Sequence, residues 1–389
     1  MRTVARAGRK NRDLIYNIVI PCSTRKTPVF FRLTYGLRDS SFNFYTLTTM
    51  TLPASAIATA ASHLHDILAQ AFEHRPPHVA RVVWDSGCEL SLALTEAYKI
   101  CLPDAVFIEF DSSAPEAIRA ELTSLAPGDL VVLIQSTSFR LDAFRIRVEL
   151  FKLNLKVIEH PHLARMPGDQ GLIYIDALAY DPAYFRGVGK ALKTRIDKAR
   201  RCVIDSGGEQ LVFAAGLEPA KLNVGDYREM HNIGGQFPIG EVFTESLDLE
   251  AVNGRVRVSI FGDTTFTINK PAQPVTLEIS KGRVTGVINS TPDFDKVLEL
   301  IRADEGEVWL RELGMGLNRA FTQDRLVNDI GTFERMCGIH FSLGAKHGSY
   351  NKPNIRRADA KYHVDVFAAT ETVMLDDEVI YRDGAWTVG

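Results

Sequence analysis

A set of three carboxylates and two imidazoles is spread over the part of this 389-residue chain that follows position 240. Glu241 stands in Gly-Gly-Gln-Phe-Pro-Ile-Gly-Glu-Val-Phe-Thr, and Glu312 in Arg-Glu-Leu-Gly-Met-Gly-Leu-Asn. His340 stands in Cys-Gly-Ile-His-Phe-Ser-Leu-Gly, and His363 and Asp365 in Tyr-His-Val-Asp-Val-Phe. Together they make a full donor set for two divalent cations. Two such ions roughly 3.5–4 Å apart share a water and turn it into a nucleophile at neutral pH.

Each residue alone has a plainer reading. A single Glu is usually solvated, a single His on an apolar strand is usually a hydrogen-bonded core residue, and His-x-Asp is a weak motif. The repeated setting lifts the set above that. His363 and Asp365 alternate with Val364 and Val366, and residues i and i+2 of a strand face the same way. His340 alternates with Gly338 and Ser342, leaving Ile339 and Phe341 for the other face. Glu241, between Gly240 and Val242-Phe243, is costly to bury without a partner, and a metal supplies one.

These segments resemble a known family. Phe237-Pro-Ile-Gly-Glu-Val-Phe-Thr244 is similar to the Asn-Leu-Pro-Thr-Gly-Glu-Val-Phe-Thr segment of the aminopeptidase T and aminopeptidase S metallopeptidases, and Val252-Asn-Gly254 follows it as there. Arg311-Glu-Leu-Gly-Met-Gly-Leu-Asn318 resembles the family's second glutamate segment. Gly338-Ile-His-Phe-Ser-Leu-Gly344 resembles its His-x-x-Leu-Gly segment, His363-Val-Asp365 its closing His-x-Asp, and Asp383-Gly-Ala-Trp386 its tail. The resemblance runs well over 216–389, loosely over 50–215, and not over 1–49. It implies that Glu241 bridges two metals (zinc, cobalt or manganese) and that Glu312, His340, His363 and Asp365 complete their shells. It also implies a homodimer acting on a peptide N-terminus. One position departs. Where the family usually has a tyrosine, seven residues after the first histidine, this chain has His347. That side chain, or nearby Tyr350, is the candidate to stabilise an oxyanion.

Three functions are open to such a chain. The first is a two-metal aminopeptidase-like hydrolase in which Glu312 shuttles the proton from water. The second is a mononuclear iron(II) ring-cleaving dioxygenase, since the resemblance extends to 2,5-dihydroxypyridine 5,6-dioxygenase. There His340, His363 and Asp365 alone make the ligand face, but one iron needs neither Glu241 nor Glu312. The third is a peptide-binding or dedicated-substrate protein of a peptide natural-product pathway.

The elements that must position these groups fall into three segments. Residues 1–49 are strand-rich, with short strands at Ile15–Pro21, Val29–Tyr35 and Phe42–Leu47. They are also basic, with nine Lys/Arg against two Asp in the first 40 positions, and read as a lid or dimer contact, or as an edge for strand addition. Residues 50–215 alternate helix and strand, which predicts an α/β domain with a mostly parallel sheet. Residues 216–389 predict an α+β metal-binding domain of strands and turns, with hairpin signals at Asn253-Gly254 and Lys281-Gly282.

Within the α/β segment Ser112-Ser113 reads as a helix cap and Asp85-Ser-Gly87 as a strand-to-helix turn. Gly187-Val-Gly-Lys190 lacks the spacing of a phosphate loop. His160-Pro-His162 reads as a loop, and His63 and His65 face apart on a helix.

With 45 Lys+Arg against 48 Asp+Glu, net −3, the charge balance gives no reason to expect nucleic acid or a membrane as partner. The longest apolar stretches, such as Leu130–Ile134, fall far short of the roughly 20 residues of a span. The five cysteines are widely spaced, with no Cys-x-x-Cys. They read as free thiols of a reducing cytoplasm, with Cys337 a packing residue.

Overall fold

A computed structural model describes residues 8–10, 13–19, 30–35, 52–142 and 144–389. The chain divides into two compact units, Met1–Met50 and Thr51–Gly389. In the first, strands Gly8–Lys10, Asp13–Val19 and Phe30–Tyr35 form an antiparallel sheet in that order. The strand expected at Phe42–Leu47 lies outside the described residues.

In the second unit, one sheet is parallel throughout. Its order is Gly234–Gln236, Lys156–His160, Leu130–Ile134, Ala80–Trp84, Val106–Glu109. The run Leu130–Ile134 is buried at every position, as a strand covered on both faces must be. Alternate residues feed two cores. Val82, Val132 and Ile158 join the main one, and Val83, Val131 and Val157 a smaller one with Ile118, Leu122 and Leu150. Helices Ala54–Asp66, Glu89–Cys101, Pro115–Thr123 and Ile146–Lys152 alternate with these strands.

The other sheet has 14 strands and is antiparallel. Its main path includes Glu241–Thr244, Leu310–Gly316, Gly338–Leu343, Val364–Ala368 and Val252–Gly262 as successive neighbours. The main core runs from the parallel sheet into this one without a break. The sheets interleave along the chain: Cys202–Ser206 and Glu209–Phe213 belong to the antiparallel sheet, whereas Gly234–Gln236 adds an edge to the parallel one. Among the described residues no helix is long and apolar enough to cross a membrane.

Several sequence-based expectations are corrected. Asn253-Gly254 is no hairpin turn. It lies inside the strand Val252–Gly262, where Gly254 (φ +125°) lets the backbone pass so close to Gln210 that a Cβ would meet its carbonyl oxygen. Lys281-Gly282 does turn a hairpin, with φ +50° and +72°. After the strand Val252–Gly262 the chain forms only the short strand Ile268–Asn269, because Asp263 folds the intervening segment into a turn by accepting from the N–H groups of Thr265 and Thr267. Ser112 and Ser113 do not cap a helix; the N-cap is Ala114, with Pro115 in the first turn.

Two helices, Asp169–Ala177 and Pro182–Ile196, were not foreseen. The second carries plain start signals. Asp181 accepts from the N–H groups of Ala183 and Tyr184, and Pro182 opens the helix. Gly187–Lys190 is a stretch of this helix, in which Gly189 makes room for Val224.

Candidate metal centre

Four adjacent strands build the centre. Glu241 pairs with Gly316 across the first two, Gly314 with His340 across the next, and Ser342 with Asp365 across the last. Cross-strand partners share a face, so His340, Ser342 and Asp365 project together. Glycine opposite His340 is required by space: a Cβ on Gly314 would collide with the imidazole. The Ser342 hydroxyl accepts from the Glu312 N–H at 3.1 Å and pins that backbone.

The structure brings Glu241, Glu312 and His340 together, with one ligand atom from each within 4.8 Å of the others. All three are buried. His340 Nε2 lies 3.4 Å from Glu241 Oε1 and 3.4 Å from Glu312 Oε1. Neither ring nitrogen of His340 makes a hydrogen bond. His363 and Asp365 pair beside this trio, Nε2 to Oδ1 at 3.2 Å.

The tautomers separate the roles of the histidines. His363 Nδ1 lies 3.1 Å from the Lys346 carbonyl, which only accepts, so Nδ1 carries a hydrogen. In a neutral ring, Nε2 then turns a lone pair toward Asp365 Oδ1, an oxygen with no other partner. Two acceptors so placed need a proton or a cation between or beside them. In His347 the order is reversed. Nδ1 accepts the Ser349 N–H at 3.0 Å, so the hydrogen of a neutral ring sits on Nε2. That nitrogen lies 2.9 Å from Glu312 Oε2, though off the line of a hydrogen bond. His347 is therefore arranged as a donor, not as a ligand. Tyr350 is not free to act in the same way. Its hydroxyl donates to the Pro219 carbonyl at 2.8 Å, and its ring packs 5.1 Å from that of His347.

Sequence reasoning missed Glu334 and Arg335. The Arg335 guanidinium pairs with Glu334 and lies 3.7 Å from Glu241 Oε2, at the edge of the centre. Both residues follow the short helix Ile330–Phe333, which is capped by Asp329. Asp329 also pairs with Arg165, beyond the end of a parallel strand. The one signal in the sequence is that Glu334-Arg335 stands between the apolar residues Phe333 and Met336. Sequence reasoning also missed a buried pair that holds the His347 loop. Arg311 donates to both oxygens of Glu245 and to the carbonyls of Ala345 and Tyr350.

Of the histidines noted elsewhere, His160 is structural. His160 is enclosed between the hydroxyls of Tyr98 and Tyr174, each at 2.8 Å, and burial pushes its pKa down to about 3. Asp85 accepts from Gly87 and from Ser136, as a strand-to-helix turn requires.

Burial acts to lower the pKa of His340, but Glu241 and Glu312 outweigh it and lift it to about 10. His363 is likewise lowered by burial and lifted by Asp365 to about 10. Burial raises Glu312, yet the surrounding histidines hold it well below the usual carboxylate range. Burial lifts Glu334 to about 8 against the pull of Arg335. Protons on two imidazoles thus occupy the place of metal charge.

The donor set fits divalent metal: buried carboxylates, and imidazole and carboxylate atoms with no other partner. Metal uptake by the metal-free protein must displace those protons. Calorimetry in buffers of different ionisation enthalpy is expected to show one to two protons released per chain near pH 7, with affinity rising between pH 6 and 9. Uptake with no proton release would contradict the ligand roles of His340 and His363.

The described unit thus belongs to the class that joins a helix-covered parallel sheet to a curled antiparallel sheet bearing buried acids and histidines. Wild-type AmpT from Thermus thermophilus has this fold, with a TM-score of 0.52 over 85% of this chain and 99% of that chain. Sequence identity is 14%, so the likeness is one of fold. No protein-family model matches the chain, and no curated protein matches it in sequence.

Proposed function

We propose that this protein is a metal-dependent aminopeptidase-like hydrolase that removes N-terminal residues from peptides. The observation that carries this reading is the cluster of buried donors without partners on His340 and Asp365, set against Glu241 and Glu312. The fold likeness to AmpT and the family-like motifs support it.

Glu241, Glu312, His340, His363 and Asp365 would hold the ions. Bound divalent metal supplies Lewis-acid polarisation of a carbonyl and acidifies water. The two oxygens of Glu312 serve different ends. Oε1 faces His340 and Oε2 faces His347, and Oε2 would be the oxygen that takes and returns a proton. His347 Nε2–H donates toward the oxygen on which negative charge develops. Arg335 sits outside Glu241, with its guanidinium 3.7 Å from Oε2. A single-iron centre of His340, His363 and Asp365 is disfavoured because it leaves Glu241 and Glu312 buried beside His340 without a role.

The full chain, loaded with zinc, cobalt or manganese, is expected to release the first residue of short unblocked peptides and to stop when a chelator is added. N-acetylated peptides should not be cut, because the free amine is an anchor. Equal cleavage of blocked and unblocked peptides would contradict the reading.

The proposed assembly is a homodimer. Sedimentation at micromolar concentration is expected to give twice the 43.3 kDa chain mass, and a monomer would refute that part.

A further inference from the structure

Beside His347, away from the carboxylates, lies a cavity of about 150 Å³. Arg311, Lys346, His347, Tyr350, Lys352 and Arg357 supply its polar walls together with Asn351, and no Asp or Glu lines it. Arg311 and Lys352 are buried, and their charge is used by Glu245 and Glu218. Lys346 and Arg357 differ. Both are exposed at the cavity, and among the described residues neither has an ion-pair partner. The buried pairs cancel, so the two unpaired cations set the sign of the pocket, which favours an anion.

The pocket is coupled to the metal centre on both sides. His347 lines it and also touches Glu312, and the Lys346 carbonyl accepts from His363. Its volume is that of about five waters, below the roughly 300 Å³ of a site for a whole small ligand. It suits one end of a larger substrate.

Resting on the hydrolase reading, we infer that this cavity is a carboxylate subsite, so that the preferred substrates carry a carboxylate close to the bond that is cut. Lys346 and Arg357 would bind it by charge-assisted hydrogen bonds. The carboxylate has two possible sources, an acidic side chain of the peptide or the free C-terminus of a very short one.

The test uses the metal-loaded full chain and two matched pairs. Glu-Ala-amide against Gln-Ala-amide reads the side-chain source. Leu-Ala with a free C-terminus against Leu-Ala-amide reads the terminal source. At least one pair is expected to show a kcat/KM ratio of about ten or more in favour of the carboxylate. That ratio should fall toward one in Lys346→Met/Arg357→Met and shrink in high salt. Lys361→Met removes one positive charge outside the cavity and should keep the ratio. Ratios near one in both pairs, or a ratio that survives the double substitution, would overturn the subsite.

If no peptide is cut, the hydrolase reading falls by itself, and equilibrium binding of the same pairs decides the subsite. A carboxylate preference abolished by the double substitution supports it, and the absence of any preference overturns it.

Discussion

Glu241→Gln is expected to lower the binding of both metal ions and, with it, activity. The substitution keeps size and shape but removes a charge from a residue only 4% exposed, 3.4 Å from His340 and 3.7 Å from Arg335. Loss of an outer-shell partner typically costs about 10–100-fold in metal affinity, and loss of a bridging ligand should exceed that. His363→Ala should weaken at least one ion, because Asp365 loses its neighbour. Circular dichroism controls for folding, since the local sheet has no other reason to fail. Full metal content and activity in either variant would mean that the constellation is misassigned.

His347→Ala carries the second large effect. Removing one donor to a developing oxyanion typically lowers turnover by roughly 10²–10³, or about 3–4 kcal/mol. The Nδ1 contact with Ser349 holds the Nε2 hydrogen toward the centre, so the loss should fall on kcat more than on KM. Tyr350→Phe is the comparator. Its hydroxyl is engaged with Pro219, and turnover should change by no more than a few fold. If His347→Ala also slows turnover only a few fold, the donor role is rejected.

What the sequence made legible was what local pattern encodes. The parallel strands announced themselves as apolar runs between helical segments, and the His363/Asp365 pair followed from a period of two. The Glu-Val-Phe-Thr and His-x-x-Leu-Gly segments marked residues that the fold then brought to one face from four strands. Less legible was anything decided by distant pairing. Gly234–Gln236 has no strand-like composition and becomes a strand only because Lys156–His160 offers it an edge. Asn253-Gly254 has turn composition, yet Gly254 is paired with Leu211 on one side and Ile279 on the other. Glu334 and Arg335 escaped notice because an adjacent acid and base look like a solvated surface pair. Only the fold shows the Arg335 end of that pair beside Glu241. The helix Pro182–Ile196 is a different case. Its Asp-Pro start was present in the sequence, and the two glycines inside it masked its helical character.

Metal content of the full chain, purified without chelator and measured by mass spectrometry against protein concentration, tests the central claim most directly. Two divalent ions of zinc, cobalt or manganese per chain are expected, falling in Glu241→Gln. A single iron per chain, or an active protein that holds no metal, would contradict it.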